Sequence, residues 1–188
     1  GSEMCIRDSD SGTGTINTMN NGEQRITSGG NGSVGTVNGG QQVIDGGTGT
    51  VSTMDGGRQW ISSGGTGTVS TMSGGYQEIG GTGTVSTMSG GSQSVHAGGT
   101  GTVSAMISGR QNIEDSGTIG TVITMSDDGQ QVINFGGTGK VSTMNGGVQV
   151  LDRGGTGTVD VMNSGGQYVD RGTGTVSNMN LSLIHISE

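Results

Sequence analysis

An internal repeat of about 18 residues dominates the chain and limits the folds open to it. The repeat reads T-G-T-V-S-T-M-x-G-G-x-Q-x-V/I-x-x-G-G, and residues 82–99 are a representative copy. Helical repeats need about 33–47 residues per unit, and paired glycines with Val/Thr-rich segments disfavour a helix. A period near 18 fits one coil of a β-solenoid, with two short strands each followed by a glycine-containing turn. We therefore predict an all-β, single-stranded parallel β-solenoid (β-helix) of about ten coils.

Composition alone would also allow a disordered chain. The sequence has 44 glycines, no proline and only 27% hydrophobic residues, and low apolar content of this kind is typical of flexible segments. Its aliphatic residues, however, occupy fixed positions of the repeat, which favours an ordered fold. The units are predicted to begin at Thr13, Asn31, Thr48, Thr66, Thr82, Thr100, Thr118, Thr138, Thr156 and Thr173.

Three sets of repeated side chains are candidates for the core. The first strand carries a Val position and a Met position, such as Val85 and Met88, and the second carries an aliphatic position such as Val95. Val85 and Met88 are three residues apart, so both can point inward only if a bulge or corner separates them.

A glutamine precedes the aliphatic residue of the second strand by two positions in all nine complete units. Alternation along a strand places this glutamine on the inner face and the variable residue between the two on the solvent side. Stacked amides can each donate to the next carbonyl, so the sequence predicts a hydrogen-bonded glutamine ladder inside the solenoid.

The two ends of the chain do not follow the repeat. Residues 1–9 (GSEMCIRDS) and 181–188 (LSLIHISE) resemble translations of the two strands of a sequencing adapter. Such segments should be excluded from reasoning about the fold. We expect residues 10–180 to form an uncapped solenoid fragment, between adapter-like segments 1–9 and 181–188. Excluding these segments removes Cys5, and with it any thiol chemistry.

Ionisable residues show no pattern typical of catalysis or metal binding. The acids are scattered, and Asp152-Arg153 and Asp170-Arg171 recur 18 residues apart, which indicates an exposed ion-pair ladder. GGTGTV resembles the start of the calcium-binding β-roll repeat, but Val stands where the carboxylate ligand is needed. We predict no catalytic residue, cofactor or metal; a polysaccharide-active β-helix enzyme is the second alternative. The net charge of −8 argues against a nucleic-acid partner, and no run of 18 apolar residues could span a membrane.

Regularly spaced threonines suggest another function. Thr-x-Thr pairs would stack into two parallel columns, an arrangement similar to the ice-binding face of insect β-solenoid antifreeze proteins. Ice binding is therefore the first alternative. The pairs are Thr48/Thr50, Thr66/Thr68, Thr82/Thr84, Thr100/Thr102, Thr156/Thr158 and Thr173/Thr175.

The segment G-G-x-Q-x-V-x-x-G-G, matched by residues 90–99 and 146–155, and the Thr-rich strand between its copies together resemble the repeats of AIDA-type autotransporter adhesins of Gram-negative bacteria. The resemblance implies a right-handed β-helical passenger, which is a secreted, non-enzymatic stalk or adhesin region displayed at the cell surface. It also implies attachment to the outer membrane by a barrel domain elsewhere in the full-length chain. It implies adhesion, autoaggregation or biofilm formation, and as partners host or bacterial surface molecules or other copies of the chain. It also implies O-glycan acceptors at Ser52, Ser70, Ser86, Ser104, Ser142 and Ser177.

Overall fold

The computed structural model describes residues 5–8, 12–180 and 185–186, and its side chains over 12–180. These residues form strands and turns and contain no helix. The strands are β1 (Cys5–Asp8), β2 (Thr13–Met19), β3 (Glu23–Thr27), β4 (Asn31–Val37), β5 (Gln41–Asp45), β6 (Thr48–Met54), β7 (Arg58–Ile61), β8 (Thr66–Met72), β9 (Tyr76–Ile79), β10 (Thr82–Val95), β11 (Thr100–Ile113), β12 (Ile119–Met125), β13 (Gln130–Ile133), β14 (Thr138–Asp152), β15 (Thr156–Asp170), β16 (Thr173–Met179) and β17 (His185–Ile186).

Equivalent strands of successive coils pair in parallel and in repeat register, which confirms the β-solenoid. Thr82 pairs with both Thr66 and Thr100, for example. The solenoid has about nine turns with a spacing of about 18 residues. We call the outer surface of the first strands the T face: it comprises β2, β4, β6, β8, β12, β16 and the first seven residues of β10, β11, β14 and β15. The Q face is the outer surface of β3, β5, β7, β9, β13 and the ends of those four longer strands.

The predicted ladders form the core. Val and Met side chains from the first strands make one continuous cluster from Ile16 to Met162. Aliphatic side chains of the second strands form two further clusters, one from Ile26 to Val95 and one from Ile113 to Leu151. Almost all of these side chains are fully buried, so each coil adds the same few apolar groups to clusters that run along the axis of the solenoid.

A bend at the Ser position of the repeat brings both Val and Met inward. In β10 the pairing with β11 passes from Val85↔Val103 to Thr87↔Ala105 and omits Ser86. Val85 and Met88 are both fully buried, whereas Ser86 and Thr87 lie on the outside. Two successive outward residues therefore replace strict alternation. Both strands bend at the equivalent serine and stay in register, so this is the corner that the spacing of the two ladders requires.

The inward glycine of Thr-Gly-Thr makes room for the second strand. A Cβ atom added at Gly83 would lie 2.3 Å from Cδ1 of Ile79 and 3.1 Å from Oε1 of Gln77. The same conflict recurs at Gly49, Gly67, Gly120 and Gly139. The thin core of the solenoid is therefore filled from one side, by Gln and Ile side chains that lie over the glycine backbone.

Two sequence predictions need correction. The seventh unit begins at Ile119 and not at Thr118, because Ile119 pairs with Thr100 and Thr138. Thr118 is instead fully buried in the preceding turn, where its hydroxyl donates to the Asp115 carbonyl at 2.6 Å. The variable residue of the second strand is also not always solvent-exposed: Val132 is only 8% exposed, in register between Asn112 and Val150.

The parallel stack continues into both terminal segments. β1 pairs with β3, and β17 pairs with β15. The remainder of segments 1–9 and 181–188 lies outside the described residues, so their prediction as adapter-like sequence stays a prediction.

Candidate functional surfaces

The T face carries two columns of hydroxyl side chains in register. Thr48, Thr66, Thr82 and Thr100 pair in succession, and the residues two positions later form the second column. All of these threonines lie on the outside of the solenoid. Adjacent coils in a parallel sheet are about 4.8 Å apart, which sets the spacing along each column.

Side chains of other types interrupt the threonine array outside these four coils. Asn31 stands in the first column, Ile119 replaces threonine in the seventh coil, and Lys140 occupies the second column of the eighth. The amine of Lys140 lies 2.7 Å from the Asp160 carboxylate. The regular part of the T face therefore covers four consecutive coils, residues 48–102.

The six predicted O-glycan acceptors share one place in the fold. All six occupy the bend that follows the inward Val of each first strand: Ser52, Ser70, Ser86, Ser104, Ser142 and Ser177. None of the six is buried. Their role as acceptors stays a prediction.

The Q face differs from coil to coil. Its central outward column runs Arg25, Val43, Trp60, Glu78, Ser94, Asn112, Val132, Val150 and Tyr168. Trp60 is 40% exposed and Tyr168 is 47% exposed, so aromatic rings reach solvent near both ends of this column. The inner positions of the same strands are nearly constant from coil to coil. The core pattern is therefore repeated, whereas the surface pattern varies.

The ionisable residues form exposed pairs. The Arg171 guanidinium contacts the Asp152 carboxylate at 3.1 Å and the Asp170 carboxylate at 3.4 Å, which confirms the predicted ion-pair ladder. Exposed pairs of this kind contribute about 0.2–1 kcal/mol each. Among the described residues, His, Cys, Asp and Glu do not come together in groups of three or more. The described part of the chain also contains no helix long and apolar enough to cross a membrane.

A cluster of Arg58, Trp60 and Glu78 on the Q face was not predicted from the sequence. The Arg58 guanidinium stacks on Trp60, with its carbon 4.3 Å from the ring centroid, and forms an ion pair with Glu78. Arg25, Val43, Trp60 and Ser62 line a shallow cleft of about 260 Å³ beside it. The signal was present in Arg58-Gln59-Trp60, because alternation around the inward Gln59 places both large side chains outside.

Comparisons with models of protein families, with curated proteins and with solved structures found no match to this chain.

Proposed function

We propose that the chain is the rod-like part of a non-enzymatic adhesin displayed at the cell surface, and that it mediates adhesion or autoaggregation through its Q face. The observation that carries this proposal is the contrast between constant inward and variable outward positions on the Q face. A spacer needs only the inward pattern. A surface that changes from coil to coil can make specific contacts, and many weak contacts on one rod gain avidity.

The acidic composition and the repeat resemblance support a location outside the cell. A net charge of −8 favours solubility of such a chain. Arg, Trp and Tyr, which dominate many binding hot spots, stand on the Q face at Arg58, Trp60, Tyr76 and Tyr168.

The test is surface display of the full chain on a non-adherent bacterium, with sedimentation and attachment to epithelial cells as readouts. We expect autoaggregation or attachment above that of the empty display scaffold. Replacing Trp60, Tyr76 and Tyr168 together by Ser should reduce it severalfold. The matched control replaces Thr66, Thr84 and Thr158 by Ser on the T face and should retain it. Equal activity of both triple variants would argue against adhesion or autoaggregation through the Q face.

Ice binding is a second candidate, favoured by the uninterrupted threonine columns over residues 48–102. It requires thermal hysteresis in a solution of the purified chain and loss of that effect in Thr84→Lys. Ser94→Lys places the same charge on the Q face and should leave the hysteresis unchanged. Absence of hysteresis in the unaltered chain would rule this candidate out.

A further inference from the structure

The cleft on the Q face results from one small residue between two large ones. Arg25, Val43 and Trp60 pair in register in three consecutive coils. The outer two are therefore roughly 9.6 Å apart at the backbone, with the short Val43 side chain between them. Ser62 completes the lining of this space of about 260 Å³, which is open to solvent and large enough for one six-membered sugar ring.

The Trp60 ring is held in place as one wall of the cleft. Arg58 stacks on it at 4.3 Å, and the ion pair with Glu78 holds Arg58. The ring is nevertheless 40% exposed. An aromatic group held by its neighbours loses little conformational entropy when a ligand packs against it, so this ring is prepared for contact with an apolar surface.

Polar groups border the apolar floor. The Arg25 guanidinium lies 3.2 Å from the Asp45 carboxylate, and the two side chains are 41% and 50% exposed. Within residues 12–180 the Ser62 hydroxyl makes no hydrogen bond, so it is available to a ligand. Hydroxyl groups of a ligand could therefore accept from Arg25 and donate to Asp45, and bonds to charged groups are the stronger kind.

The charges around the cleft compensate each other. Arg25 faces Glu23 and Asp45, and Arg58 faces Glu78. Three acids and two bases leave no positive field to attract an anionic group. A ligand that suits this site is uncharged, carries several hydroxyl groups, and has one apolar face for the aromatic ring.

We propose that this cleft binds one neutral pyranose ring of a surface glycan. The C–H face of the sugar packs on Trp60 above Val43, and its hydroxyl groups bond to Arg25, Asp45 and Ser62. This inference rests on the proposed adhesive function and gives that function a ligand class.

Trp60 is the only tryptophan of the chain, so its fluorescence reports on this cleft alone. The purified full chain is titrated with methyl glycosides of glucose, galactose, mannose, fucose, N-acetylglucosamine and N-acetylgalactosamine, with N-acetyltryptophanamide as the blank. We expect a saturable change in emission for at least one of them, with a Kd of about 1 mM, as suits a single small site. No saturable change up to about 100 mM with any of the six would overturn the proposal.

Two variants and a matched control locate the site. Val43→Tyr fills the cleft and should abolish the titration, and Arg25→Ala should weaken it at least fivefold. Val150→Tyr makes the same substitution in the same outward column, between Val132 and Tyr168, and should retain wild-type binding. Circular dichroism checks that each variant keeps the β signal. Unchanged binding in both Val43→Tyr and Arg25→Ala would overturn the proposal.

Acidic sugars and the display assay separate the possible failures. Methyl glucuronide and sialic acid should bind at least fivefold more weakly than the best neutral glycoside, and equal or tighter binding would contradict a neutral ligand. A displayed chain that adheres while no glycoside binds overturns the sugar site and leaves the adhesive function in place. A chain that binds a glycoside without adhering keeps the site and overturns the adhesive function.

Discussion

At the residue scale, the glutamine ladder explains how a chain with few apolar residues can bury a polar side chain in every coil. The Nε2 of Gln24 donates to the Gly14 carbonyl at 3.1 Å. Every later Nε2 donates to Oε1 of the glutamine one coil earlier, from Gln42→Gln24 at 2.7 Å to Gln167→Gln149 at 2.6 Å. All nine glutamines are buried. A buried polar group without a partner costs about 1–3 kcal/mol, so every added coil satisfies the amide of the coil before it.

A carboxyl group placed in this ladder should make stability depend on pH. In Gln131→Glu the ionised side chain can accept from Gln149 but cannot donate to Gln111, which Gln131 contacts at 2.7 Å. Burial raises the pKa of the new carboxyl in the folded chain above its unfolded value of about 4.3. Stability is then retained below pH 4, where the O–H group donates to Gln111, and falls as pH rises through the folded pKa.

Urea denaturation at pH 3.5 and pH 7 measures this effect against the unaltered chain at the same pH. We expect little difference at pH 3.5 and a loss of at least about 3 kcal/mol at pH 7, the cost of an uncompensated buried charge. Gln130→Glu is the control, because Gln130 precedes Gln131 but is exposed. It should change stability by less than about 1 kcal/mol at either pH, even with Asp127 and Asp128 nearby. Equal pH dependence in both variants would contradict a buried ladder.

At the element scale, the two strands of a coil fit together through a glycine and a large aliphatic side chain. Gly83 lies under Ile79, and the pair repeats as Gly101 under Val95 and Gly157 under Leu151. Glycine is required at this position because a larger side chain would not fit, and not because of its backbone conformation. In the corners the need is different, since Gly91 and Gly147 have φ of 73° and 75°, where a Cβ atom would be strained.

This fit predicts coupled effects of mutation. Gly83→Ala should destabilise the fold by about 1–3 kcal/mol, because the new methyl group would lie 2.3 Å from Ile79. Ile79→Ala alone should cost about 2–5 kcal/mol through the cavity that it leaves. The double variant should be more stable than the sum of the two losses implies, since the methyl group occupies part of that cavity.

Chemical denaturation of the four proteins closes the double-mutant cycle. Thr84→Ala, on the outward side of the same strand, serves as the control and should change stability by less than about 0.5 kcal/mol. Simple additivity of Gly83→Ala and Ile79→Ala would show that the two groups do not share the space.

Some features of the fold could be predicted from the sequence and others could not. Period and alternation predicted the coil, the aliphatic ladders and the glutamine ladder, because each depends only on which residues recur on one side of a strand. The bend at Ser86 could not be located, since V-S-T-M allows a bend at either outward residue. The predicted start of the seventh unit at Thr118 was wrong, although Thr118 has the residue type that begins the other units. The strand pairing is set by the buried Val122 and therefore begins at Ile119. The Trp60 cleft depends on neighbouring coils, which a single repeat does not contain.

At the scale of the whole molecule, the strands of each described coil pair with those of the adjacent coils. β10 pairs with β8 and β9 on one side and with β11 on the other. Stability in such an array is close to a sum of coil terms and interface terms. The core pattern sets the length of the rod, and the outward residues can vary without changing it. One framework can thus present the regular T face and the variable Q face together.

Removal of one complete coil should therefore leave a folded, shorter rod. Deletion of residues 82–99 joins Gly81 to Thr100 and places Gln111 on Gln77 and Ile113 on Ile79, a repeat of contacts already present. We expect the same β signal per residue by circular dichroism and unchanged Trp60 emission, because Trp60 and its partner Arg58 lie outside the deleted segment. The urea m-value should fall by roughly one ninth, in proportion to the surface removed.

Deletion of residues 82–90 is the control. It joins Gly81 to Gly91 and so puts Ser92 at the buried glycine position and Ser94 at the buried valine position of the first strand. It also leaves strand edges unpaired, so this protein should aggregate. Loss of structure in both deletions would mean that residues 82–99 are not one coil of an additive array. Folding of both would mean that the buried Gly and Val positions do not fix the register between coils.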